Sequence, residues 1–136
     1  MNVPARAHHE PDLHTPSALA PTLDTLAQLE RLYHAAHPEA TLEHFDRLVA
    51  PGFWEIGASG RNYSRAFARS VLAARDGIPA PERWQDGDHA LTPVAPDVFL
   101  LAYTLREPGR TTRRTALWQQ SAGLWQVLFH QGTVCL

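Results

Sequence analysis

One cysteine, Cys135, is all that this chain of 136 residues contains. A lone thiol excludes an internal disulfide and fits a reducing compartment. No apolar run approaches the length needed to cross a bilayer, which excludes a helical membrane span. The opening MNVPARAHHEPDLHTP has no apolar centre of the kind a secretory signal carries, so a cytoplasmic location is expected. There is no basic block, and the net charge of -2 argues against affinity for nucleic acid built on phosphate neutralisation. G-x-G-x-x-G and the phosphate-binding P-loop are both missing. No internal repeat is visible.

What is present is ordinary for a soluble domain: 44% apolar and 19% charged residues, enough for one core. Residues 1–20 differ, with Pro4, Pro11 and Pro16, the histidines His8, His9 and His14, and few side chains able to pack. They read as a flexible arm ahead of a single domain over residues 21–136.

From Pro21 the pattern is helical, with Leu26, Leu29, Tyr33 and Ala36 on one face and Pro38 as the stop. Thr41 is a cap for a second helix with Leu42, Phe45, Leu48 and Val49 inward, ended by Pro51-Gly52. A short strand, Phe53 to Ile56, runs into the turn Gly57-Ala58-Ser59-Gly60. Ser64 caps a third helix with Phe67, Val71 and Ala74 in register and Gly77 beyond its end. The second half is strand-rich. Trp84–Leu91 is interrupted by Asp86-Gly87 and confined to an edge or a strand end by Pro93. Val98–Arg106, Thr111–Gln120 and Leu124–Gln131 follow as a meander with turns at Glu107–Arg110 and Ser121–Gly123. Helices first and an antiparallel sheet afterwards is an α+β order.

That order, with the motifs LVAPGFWEIGASGRNYSR (residues 48–65) and RTALWQQSAGLWQVLFHQGT (residues 114–133), resembles the nuclear transport factor 2-like superfamily. This group includes ketosteroid isomerase, scytalone dehydratase, SnoaL-like polyketide cyclases and the association domain of calcium/calmodulin-dependent kinase. More narrowly, the two motifs resemble the bacterial domain of unknown function 4440, with which the match covers about residues 22–133. The last turn departs from that pattern, since relatives often carry an acidic residue before the glycine where this chain has Ala122. The resemblance implies a cone-shaped fold, N-terminal helices on a curved antiparallel sheet, with a pocket between them, usually in a homodimer. It implies no particular reaction.

Chemistry is sought residue by residue. Alternation on the Phe53–Ile56 strand sends Phe53 and Glu55 one way and Trp54 and Ile56 the other. Burial among aromatics would raise the Glu55 pKa and suit it to general-base work. The structural reading, which weighs more, pairs it with Ser59, Arg61 or the amides of the Gly57–Gly60 turn. On the last strand, if Gln126 faces away from the helices, parity places Trp125, Val127, Phe129 and Gln131 toward them and His130 with Leu128 on the opposite face. His130 could be an acid or base, though a packed, hydrogen-bonded histidine weighs more. Trp118 and Trp125 read as core before they read as stacking platforms. Tyr103 and Tyr63 carry hydroxyls that could polarise a carbonyl or be tied to backbone.

Glu55 and Tyr103 are therefore the catalytic candidates, and Trp54, Arg61, Tyr63, Trp118, Phe129, His130 and Gln131 the ligand-binding ones. His34 and His37 are three apart on an expected helix with His44 near, but no third ligand is clearly placed, so no metal is expected. No cofactor is expected either. Gly57–Arg61 before a helix lacks a P-loop ending and reads as a turn, and Cys135 has no neighbouring base. Three functions stay open. One is a pocket for a small apolar or carboxylated ligand. Another is an isomerase, dehydratase or cyclase with Glu55 as base. The third is a dimeric interaction module. An open pocket with Glu55 free and a tyrosine hydroxyl inward favours the enzyme, and Glu55 paired to Arg61 in a filled cone favours the module.

Overall fold

A computed structural model of the chain describes residues 10–75 and 84–136. Gly77, Pro79 and Pro81, along with His8 and His9, lie outside the described residues. A 3-10 turn, Ser17–Leu19, leads into helix α1, Ala20–Tyr33, with Pro21 in its first turn, where a missing N–H costs nothing. Leu26, Ala27, Glu30 and Tyr33 are its buried residues. Ahead of it, Thr15 Oγ1 accepts the Leu91 N–H at 3.0 Å, and Glu10 lies 3.7 Å from Arg113.

α1 ends five residues before Pro38, leaving Ala36 outside it. His34 is already extended, its Nδ1 accepts the Ala36 N–H at 3.3 Å, and His37 Nδ1 accepts that of Glu39 at 3.1 Å. Side chains that bond nearby amides compete with the helix ladder, and here they win. His34 and His37 thus sit in a loop, each in edge-on contact with Trp84, at 4.7 and 5.0 Å.

Thr41 caps α2, Leu42–Leu48, accepting the His44 N–H at 3.2 Å. Pro51-Gly52 does not terminate this helix. Strand β1 begins at once and runs Val49–Ile56, with Pro51 and Gly52 exposed inside it. Proline cannot donate to a ladder, and the pairing slips there, so that Val49 faces Val127 but Trp54 faces Phe129. The turn after β1 closes through Gly57 and Arg61, Gly60 taking φ +87°, and a short strand β2, Asn62–Ser64, returns along β1. Ser64 caps α3, Arg65–Ala73, accepting the Phe67 N–H at 3.1 Å. Its buried residue is Leu72, whereas Phe67 and Val71 are half exposed, Phe67 stacking on Tyr63.

Strands β3 (Gln85–Ala95), β4 (Val98–Glu107), β5 (Arg110–Ser121) and β6 (Leu124–Val134) complete a sheet of order β2-β1-β6-β5-β4-β3. Every pairing is antiparallel except β1 with β6, which is parallel, because β1 reaches the sheet through a helical connection rather than a hairpin. β3 is an edge strand, one of the two placements Pro93 allows, and it bulges around Asp88, where φ is +54°. The last hairpin turns on Ala122 and Gly123 with φ +51° and +76°, the left-handed pair such a two-residue loop needs. The core lies between α1, α2 and the inner sheet face, centred on Leu26, Phe45, Leu101, Leu105, Trp118 and Val127. No helix among the described residues is long and apolar enough to cross a membrane.

Candidate functional site

The 3.6-residue period that turns Leu26 and Tyr33 inward turns Glu30 inward as well, and its carboxylate is 2% exposed. A charge so buried needs donors on every side. Oε2 accepts the Trp118 indole N–H at 2.8 Å, and Oε1 accepts the Tyr33 and Tyr103 hydroxyls, each at 3.1 Å. His130 Nε2 is 2.9 Å from the same Oε1. One carboxylate on α1 thereby ties that helix to β4, β5 and β6. Burial first, and the nearby Glu30 charge second, push both tyrosine hydroxyls well above their ordinary pKa.

His130 reaches this cluster because β6 is not regular. Leu117 pairs with Phe129 but Trp118 with Val127, so Leu128 is an extra residue and alternation reverses beyond it. Val127 and His130 both face inward, with Gly132 after them, while Phe129 and Gln131 face out. This corrects the parity expectation, which put Phe129 and Gln131 toward the helices and His130 away. Phe129 packs on Trp54 at 4.8 Å on the outer face, and neither lines the cavity.

A cavity of about 400 Å³ opens beside the cluster, between the loop after α1, α3, the end of β1 and the β4–β5 hairpin. Tyr33, Phe45, Phe53 and Val71 supply apolar wall, and His34, Glu55, Arg110 and Arg114 supply the polar groups. The Glu55 side chain is 26% exposed, and its nearest charged partner is His130 Nδ1 at 3.9 Å. Neither Ser59 nor Arg61 bonds it: Ser59 Oγ meets the Tyr63 hydroxyl at 3.2 Å, and Arg61 has no side-chain partner among the described residues. Desolvation raises the Glu55 pKa, against the lowering effect of His130 and Arg114. His34 is held well below its ordinary value, chiefly by burial and then by His130 and Arg114, so it stands neutral in the wall.

The raised Glu55 pKa has a measurable sign. Protonated Glu55 contributes stability that is complete below the ordinary carboxylate range and is lost as pH rises through the folded-state value. Glu55→Gln removes that titration. The variant is expected to match the wild-type melting temperature near about pH 4 and to exceed it near about pH 7. A difference that does not change with pH would refute this.

Of the residues nominated from sequence, the structure brings Glu55, His130, Tyr103 and Trp118 together around Glu30. Tyr63 stacks on Phe67 beside Gly57, where an added Cβ would come within 2.6 Å of its ring, and it does not line the cavity. Arg61 is exposed on the turn. Sequence reasoning missed Glu30 and Arg114, and considered His34 only as a metal ligand on a helix. Glu30 was legible at i+4 from Leu26, and Arg114 by strand alternation from Trp118. His34 was hidden by the early end of α1. No group of three His, Cys, Asp or Glu among the described residues is placed to hold a metal ion.

No family model matches the chain, and no curated protein does. Solved structures do. A nuclear transport factor 2-like protein from Cytophaga hutchinsonii superposes with TM-score 0.69 at 16% identity, covering 82% of this chain and 97% of that one. A similar protein of unknown function from Silicibacter pomeroyi gives 0.67 at 15%, covering 85% and 98%. An uncharacterized protein with a cystatin-like fold from Caulobacter vibrioides gives 0.66 at 17%, covering 83% and 89%. Such identities speak to backbone architecture and not to chemistry. With its N-terminal helices on a six-stranded, mostly antiparallel sheet, the chain has the nuclear transport factor 2-like fold.

Proposed function

We propose that the chain binds a small molecule in the cavity beside Glu55. One observation carries this: a largely buried carboxylate borders open space with no hydrogen-bond donor from the described residues. Desolvated acceptors are normally satisfied, so the missing donor is supplied by what enters. The apolar wall of Tyr33, Phe45 and Phe53 suits an apolar body. On its two motifs we also read the chain as a relative of the bacterial domain of unknown function 4440, cytoplasmic and homodimeric. The half-exposed Trp54 on the outer sheet face supports the dimer, which sedimentation velocity checks.

The test is ligand-observed NMR with a fragment library against the wild type and Val71→Trp. Val71 is 46% exposed at the cavity wall, so a larger side chain fits at the surface while obstructing entry. Fragments that bind the wild type and lose at least about tenfold in affinity to the variant support the pocket, a loss of roughly 1.4 kcal/mol. Equal binding to both would place the fragments elsewhere and sink the proposal.

A second reading, an enzyme of the isomerase, dehydratase or cyclase kind, is favoured by the placement of His130 between Glu55 and Glu30. A carboxylate backed by a buried imidazole is suited to accept a proton. Tyr103 is not the free polar partner that such a reaction was expected to use, because its hydroxyl is committed to Glu30. In this reading Glu55→Gln removes turnover while the fold is retained.

A further inference from the structure

Arg114 is the group that the small-molecule reading leaves unused. It is 7% exposed, yet it lines the cavity. Its Nε donates to Thr112 Oγ1 at 2.9 Å, and one terminal nitrogen lies 3.7 Å from Glu107 Oε1, an oxygen also approached by Arg110 at 3.5 Å. The other terminal nitrogen, NH1, has no acceptor among the described residues. A guanidinium has five N–H donors and keeps its charge at any physiological pH. One neutral hydroxyl and one shared, distant carboxylate leave it with donors to spare beside the cavity.

The backbone is also shaped for it. Arg114 pairs in register with Gly132, and a Cβ at Gly132 would stand 2.5 Å from NH1 and 2.9 Å from the central carbon. A side chain at Gly132 would push the guanidinium away from the strand it now lies against. The glycine of the closing His-Gln-Gly-Thr segment is thus accounted for by the side chain across the ladder from it.

Resting on the reading of the cavity as a small-molecule site, we infer that its ligand is an organic acid whose carboxylate is received by Arg114, with an apolar body against Tyr33, Phe45 and Phe53. A carboxylate matches the guanidinium fork and supplies the charge that its burial calls for. Arg110 at the rim adds a second cation along the way in. Glu55 shares the cavity but makes no ion pair with Arg114 within 4.0 Å among the described residues, so it does not occupy the guanidinium. The volume of about 400 Å³ lies at the small end of the usual ligand range of about 300–1,000 Å³, which favours a compact acid.

Matched probes test this: phenylacetate against phenylacetamide, and hexanoate against hexanamide, titrated into the intact chain by NMR. The acids are expected to bind at least about tenfold more tightly than their amides. Arg114→Gln should erase that preference, and Gly132→Ala, which keeps the charge but crowds the guanidinium, should weaken the acids and spare the amides. Circular dichroism establishes that each variant folds. If Arg114→Gln does not fold, the acid-to-amide ratio on the wild type decides alone. Amides binding as well as acids would overturn the inference, as would an acid preference that survives Arg114→Gln. If acids fail while neutral fragments bind and are lost in Val71→Trp, only this inference falls. If neither class binds, the pocket reading falls with it.

Discussion

Replacing Glu30 with alanine is expected to cost about 3–5 kcal/mol, the low end of what three stranded buried donors at about 1–3 kcal/mol each would give. The variant would strand the indole N–H of Trp118 and the hydroxyls of Tyr33 and Tyr103, and would remove the carboxylate oxygen that His130 Nε2 approaches at 2.9 Å. Each buried donor left without a partner costs about 1–3 kcal/mol before any water enters the vacated space. A domain of this size has about 5–15 kcal/mol in all, so the variant would sit near its folding threshold. Glu30→Gln is the finer probe. Its amide presents its oxygen either to the tyrosines or to the indole and an N–H₂ to the other, for a smaller loss of about 1–3 kcal/mol. Urea denaturation with an unchanged slope measures both. A loss below about 1 kcal/mol in Glu30→Ala would show that the cluster is not the tie between α1 and the sheet described above.

Trp118→Ala is the second large effect, again about 3–5 kcal/mol. The side chain is fully buried, packs edge-on against Tyr33 at 5.9 Å, and occupies the inner face of a central strand where neighbours on both sides resist collapse into a void. Two components contribute, ring volume and the bond to Glu30, and Trp118→Phe separates them. It keeps most of the aromatic bulk and removes the N–H, leaving Glu30 Oε2 unsatisfied at about 1–3 kcal/mol. In a double-mutant cycle with Glu30→Ala, the two losses should couple by about 0.5–3 kcal/mol, since the second substitution deletes a bond already gone. Additive losses would mean that the indole does not depend on Glu30.

These residues also show where reading a sequence stops. Trp118 was legible as core because large aromatics dominate core burial. Glu55 was legible on the correct side of β1 because side chains alternate along a strand. The caps at Thr41 and Ser64 are bonds within three residues and needed no tertiary knowledge. The inward placement of Glu30 was also available from helical period, although a carboxylate on an apolar face is easily discounted without sight of its donors. His130 was different. Its side depends on one bulged residue, Leu128, and a bulge is a property of two strands in register rather than of either alone. The same holds for Pro51-Gly52, which looks like a helix stop and is instead an irregularity tolerated inside β1.

Local rules therefore determined most element types, the α+β order, the caps and the turn residues. They act over a few residues and are written in composition and period. The tertiary structure alone decided which charged groups meet. Glu30 lies 73, 88 and 100 positions from Tyr103, Trp118 and His130, and only the sheet order and the β6 bulge bring them within 3.1 Å of its carboxylate. The cavity is likewise a product of packing, since its acid on β1 and its guanidinium on β5 share no local signal.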